Sequence, residues 1–156
     1  MDDSLAFRKI FLELIGSMDC TNTEAARMIG IDYRIYKSIL QYGKLPRVRI
    51  LIRIADYFDL PVDYLLGHTQ ATHIERAAHP TTFWLRYTAL KERDGVSDYA
   101  VAQKLHISTS YTTAWKKKEY FPSLDNLLIL TEVFNTSFDY LLGRTDDDAP
   151  YPPAKH

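Results

Sequence analysis

Apolar residues recur at helical spacing through most of the chain, and no segment shows a convincing strand pattern. Leu5, Ile10, Phe11, Leu14 and Ile15 predict a first helix. Thr21 or Thr23, both suited to an N-cap, leads into a short second helix carrying Ala25, Ala26 and Ile29. Gly30-Ile31-Asp32 reads as a tight turn, with Gly30 at a left-handed position and Asp32 capping a third helix, Tyr33–Tyr42. After Pro46, the positions Val48, Leu51, Ile52, Ala55 and Phe58 predict a fourth helix. A very short fifth holds Tyr64–Leu66 and stops at Gly67, which fits a C′ position.

The same pattern returns 76 residues later without a gap. PVDYLLGHT at Pro61–Thr69 becomes SFDYLLGRT at Ser137–Thr145. The offset also superposes Phe7 on Phe83, Leu14 on Leu90, Ala26 on Ala102, Pro46 on Pro122 and Phe58 on Phe134. In the second copy Thr81 or Thr82 caps the first helix and Ser97 the second. His106-Ile107-Ser108 makes the turn, His106 being among the few non-glycine residues that tolerate a left-handed position, and the third helix covers Thr109–Lys117. A gapless period of this length means one small fold made twice. The pattern therefore predicts an all-α protein of two tandem five-helix domains, 1–67 and 81–145. A polar linker, 68–80, joins them, and an acidic, proline-rich tail, 146–156, is expected to lack fixed structure.

Charge adds a qualification. The net formal charge of the 156-residue chain is −1, a weak electrostatic footprint for nucleic acid. The first copy, Leu5–Thr69, nevertheless carries nine Lys/Arg against seven Asp/Glu, and the second, Thr82–Thr145, eight against seven. Excess acid lies in Asp2, Asp3 and Asp146–Asp148. High-affinity binding to any DNA regardless of sequence is not expected of such charges. The single cysteine, Cys20, cannot form an intrachain disulfide, and the acidic start MDDSLAFRK is unlike a secretory leader. The expected setting is the cytoplasm, with no membrane segment.

The segments Pro122–Thr145 (PSLDNLLILTEVFNTSFDYLLGRT), Ser97–Ser108 (SDYAVAQKLHIS) and Thr23–Asp32 (TEAARMIGID) resemble the Cro-like, or XRE-type, helix-turn-helix family of phage repressors and bacterial regulators. The resemblance covers nearly all of the chain outside linker and tail. It implies lambda-repressor-like domains whose third helices enter the major groove of double-stranded DNA. By position, the base-facing residues are Tyr33, Arg34, Lys37 and Ser38 in copy one and Thr109, Ser110, Thr113 and Ala114 in copy two. Arg34 is the best single reader, because a guanidinium can grip guanine O6 and N7 together. Phosphate contacts are expected from Asn22, Arg27, Lys44, Arg47 and Arg49, and from Gln103 and the run Lys116, Lys117 and Lys118.

Copy two departs from the family at the start of its second helix, where Asp98 replaces a phosphate-friendly amide and would repel the DNA backbone. Where the family often pairs a base with an acid, copy one has Ile15 and Leu40 and copy two has Lys91 and Lys116. The two lysines are expected to splay into solvent, or one of them to meet Glu92 or a phosphate. Tyr36, Ile39 and Trp115 are expected in the core. Ile35 and Tyr111 face outward, toward DNA or toward a protein partner.

No glycine-rich phosphate loop, nucleophile motif or convergent carboxylate pair is present, and Cys20 lacks a basic activator in sequence. His68, His73 and His79 lack the cysteines or carboxylates of a zinc spacing. Neither catalysis nor a cofactor, metal or small-molecule ligand is expected. The expected function is sequence-specific DNA-binding transcriptional regulation. A linker of about a dozen residues reaches about 40 Å, enough to span two half-sites roughly 34 Å apart from one chain. The alternatives are a protein-interaction module on the same scaffold, as an antirepressor or adaptor, or one copy reading DNA while the other forms a homodimer.

Overall fold

The computed structural model describes residues 3–117 and 119–154, and every regular element among them is an α-helix. The chain divides into two compact units. The first runs to Ile74 and is joined by the chain from Pro152 onward; the second spans Glu75–Tyr151.

In the first unit α1 (Asp3–Gly16) buries Ala6, Phe7 and Phe11. Phe7 and Phe11, one turn apart, stack at 5.6 Å between ring centroids, and Tyr36 meets Phe11 edge-on at 5.6 Å. These rings set the inward face of α1. Leu5, two positions before Phe7, points away from that face and is 64% exposed, against the sequence reading. The helix α2 (Asn22–Ile29) is capped by Thr21, whose side chain accepts from the Glu24 amide at 3.2 Å. It ends at Gly30, in the left-handed region with φ +86°. Buried Ala25 and Ala26 let its neighbours approach closely, and Ile29 fills the gap beyond them. Asp32 caps α3 (Tyr33–Tyr42) through a 2.7 Å bond from the Arg34 amide, and α3 buries Tyr36 and Ile39. The core is completed by Leu51, Ile54 and Ala55 of α4 (Val48–Phe58) and by α5 (Val62–Leu65). Gly67, φ +79°, has no room for a side chain, because a Cβ there would lie 2.6 Å from that of Ala6.

The second unit repeats this order with α6 (Phe83–Asp94), α7 (Asp98–Leu105), α8 (Thr109–Ala114), α9 (Leu124–Phe134) and α10 (Phe138–Leu141). Thr82, Ser97, Ser123 and Ser137 cap four of them. Trp115 is buried, edge-on to Phe83 at 5.5 Å and to Tyr87 at 5.1 Å. His106 holds the expected left-handed turn at φ +57°.

One local expectation changes. The helix α8 stops at Ala114 and does not reach Lys117. Its cap residue Ser108 makes no capping bond and pairs instead with the Ser110 hydroxyl at 2.6 Å. The Thr112 hydroxyl bonds back to the Thr109 carbonyl at 2.7 Å, and three of the six helical residues are β-branched threonines. The segment after Thr145 makes side-chain contacts. Asp146 pairs with Arg86 at 2.7 Å, Asp148 with Arg93 at 3.1 Å, and the Thr136 hydroxyl donates to the Asp148 carbonyl at 2.7 Å. The Tyr151 hydroxyl donates at 2.7 Å to buried Asp139, which also holds Arg144. Asp146, Asp148 and Tyr151 thus all have side-chain or backbone partners within the second unit. The segment 68–80 carries no helix, though Thr69 and Ile74 within it are buried.

Candidate nucleic-acid interface

In the first unit α2 packs on α3 across the Gly30 turn. The Arg53 guanidinium, from α4, donates to the Gly30 carbonyl at 2.8 Å and braces that turn. Tyr33, Arg34 and Lys37 are exposed along one side of α3, whereas Ser38 is half-buried. The Arg34 side chain is 93% exposed, with only a loose 3.7 Å approach to Asp32, so its charge and donors face water. The Lys37 ammonium lies 5.8 Å from the Tyr33 ring centroid, which limits its wandering. Asn22, Arg27, Lys44, Arg47 and Arg49 are all exposed. Asn22 is fixed by the Tyr36 hydroxyl, which donates to its Oδ1 at 2.9 Å. Burial first, then the neighbouring Cys20 and Tyr33, pushes the Tyr36 phenol above its ordinary value, keeping it a donor. A buried residue of α3 thus orients the first residue of α2.

In the second unit Thr109, Ser110 and Thr113 are exposed on α8, and Ala114 is half-buried. No charged residue lies on α8. The Gln103 amide donates to the Tyr99 hydroxyl at 2.7 Å. Lys116 and Lys117 are exposed; Lys118 lies outside the described residues. Ile35 is half-buried, while Tyr111 is 63% exposed.

Lys91 does not splay into solvent as expected but is largely covered, whereas Lys116 is exposed. Lys91 donates to Asp98 Oδ1 at 2.7 Å, and both ammonium groups lie over the Trp84 ring, at 5.3 and 5.4 Å. The Tyr87 hydroxyl donates to the same Asp98 oxygen at 2.7 Å. Burial acts to raise the Asp98 pKa, but the bonds from Lys91 and Tyr87 and the charges of Lys91 and Lys116 prevail, holding the carboxyl below its ordinary value. Burial and the bond to Asp98 push the Tyr87 phenol far above its own. The cation that Asp98 needed came from the preceding helix, seven residues back, so reading each helix alone missed it. Arg53, Trp84 and Tyr87 were likewise not singled out as site residues. The signal for Tyr87 lay in the repeat, where Phe11 and Tyr36 of one copy correspond to Tyr87 and Thr112 of the other.

No helix among the described residues is long and apolar enough to cross a membrane. Among those residues no group of three His, Cys, Asp or Glu is placed to hold a metal ion.

The all-helical chain shares a stretch with a regulator of the helix-turn-helix class. Over 65 residues it is 32% identical to the uncharacterised HTH-type transcriptional regulator YobD of Bacillus subtilis (strain 168). That stretch is 42% of this chain and 58% of YobD, so the chain spans little more than half of the relative's length. No family model and no solved structure matches the chain.

Proposed function

We propose that the chain is a sequence-specific, double-stranded-DNA-binding transcriptional regulator of the Cro-like kind, with two tandem five-helix helix-turn-helix domains. In this reading α3 and α8 are the recognition helices. The observation that carries it is the exposed side of α3. A firmly capped helix on a braced turn holds an almost fully exposed guanidinium beside a lysine, as bidentate base readout in a major groove requires. The 65-residue likeness to an HTH-type regulator, about the length of one repeat, supports the same class.

The test is retardation of genomic DNA fragments across a salt series. The intact chain is expected to retard a subset of fragments. Arg34→Ala is expected to lose roughly 10- to 100-fold in affinity for those fragments, the value of one good bidentate contact. Equal retardation by both proteins would count against α3 as the reader.

A second reading has a specific observation behind it. The uncharged α8 exposes Tyr111, and neighbouring α7 exposes Tyr99, each at 63%. Such a face suits a protein partner, as in an antirepressor, an adaptor or a homodimer contact. Absence of any retardation at low salt favours it.

A further inference from the structure

The start of α7 differs from that of α2 in a charge-balanced way. Asp98 stands at the position of Asn22, and Lys91 at that of Ile15. Two neutral side chains in one copy are an anion and a cation in the other, and each pair sums to zero. The hydroxyl that holds the first helical residue has moved as well. In the first unit it comes from Tyr36 of α3, in the second from Tyr87 of α6.

Lys91 is not a solvated charge. Its side chain is 16% exposed, its ammonium sits 4.5 Å from the Tyr87 ring centroid and 5.3 Å from that of Trp84, and it donates into Asp98 at 2.7 Å. Cation–π contacts on two rings hold it there. Packing alone does not call for a cation at this place, because Ile15 occupies it in the first unit. A part-buried ion pair is also a poor source of net stability. What the lysine does supply is cancellation of a carboxylate that is 44% exposed, at the start of α7.

We propose that Lys91 is a positioning residue of a second DNA-facing edge, neutralising Asp98 so that α7 and Lys116 can approach the phosphate backbone. The inference rests on the DNA-binding reading above and makes the second unit a participant in it. Lys116, whose ammonium lies over the same Trp84 ring and which is exposed, is a cation of this cluster able to meet a phosphate.

The experiment uses the full chain and a duplex that the wild-type chain selects from a random pool. Lys91→Met is expected to weaken binding about tenfold and to lower the salt-dependence slope by about one, because it exposes an uncompensated carboxylate. The double variant Lys91→Met/Asp98→Asn, which restores the neutral pairing of the first unit, is expected to return to within about twofold of wild type. Should Lys91→Met fail to fold, as circular dichroism would reveal, the folded double variant carries the test by the same criterion. A folded double variant that binds weakly overturns the proposal, since Lys91 would then touch phosphate itself or merely prop the helix. A folded Lys91→Met chain with unchanged affinity overturns it too, by taking this edge off the DNA. A wild-type chain that selects no duplex defeats the DNA-binding reading itself, which is a different result from failed rescue.

Discussion

Asp98 shows how far a residue's meaning depends on neighbours that a linear reading does not supply. In sequence it is an acid where an amide is wanted; in the structure it is the common acceptor for Lys91 and Tyr87. Its carboxyl lies below the ordinary 3.8 when folded, so the unfolded chain takes up the proton at higher pH than the folded one. The contribution of this pair to stability is therefore full above about pH 3.8 and is lost as pH falls through the lower, folded-state value. Asp98→Asn removes that dependence. Urea midpoints measured between about pH 5 and pH 2 are expected to fall less steeply for Asp98→Asn than for wild type. Asp146 is lowered too, by the Ala78 amide and Arg86, so some acid sensitivity is expected to persist in the variant.

Among elements, α3 and α8 are the informative comparison, because the repeat places them at equivalent positions and they differ in build. The ten-residue α3 has a working cap in Asp32 and ends at Gly43, φ +62°. The six-residue α8 has three threonines, and its Ser108 is diverted to Ser110. Asp32→Ala is expected to cost about 1 kcal/mol in the denaturation of the intact chain, the usual value of an N-cap. Ser108→Ala is expected to cost well under half as much, since no capping bond is lost. Comparable losses would show that Ser108 caps α8 in solution. The same contrast bears on readout: the capped, ten-residue α3 anchors the backbone beneath Arg34 and Lys37 more firmly than the six-residue α8 anchors that beneath Ser110 and Thr113.

At the scale of the whole chain, the two units are alike in scaffold and unlike on their candidate reading faces. Tyr33, Arg34, Lys37 and Ser38 stand against Thr109, Ser110, Thr113 and Ala114, with no identity at any of the four places. If each unit reads half of one site, sites selected from a random pool are expected to be asymmetric, with a guanine-containing half for α3 and a less constrained half for α8. Perfectly palindromic sites would instead mean that two chains each contribute the same unit.

Much of the helical order was legible because it rests on local rules. Apolar spacing, the caps at Asp32 and Ser97, and the left-handed positions Gly30 and His106 follow from short-range sterics and hydrogen bonding. The period of 76 residues carried those rules from one copy to the other. Three features were out of reach of such rules: the outward turn of Leu5, the partners of Asp146 and Tyr151, and the Lys91–Asp98–Tyr87 cluster with Trp84 beneath it. Each depends on side chains that packing brings together from different parts of the chain. A charge or hydroxyl is assigned its partner by distance in space, and local sequence patterns leave that distance open.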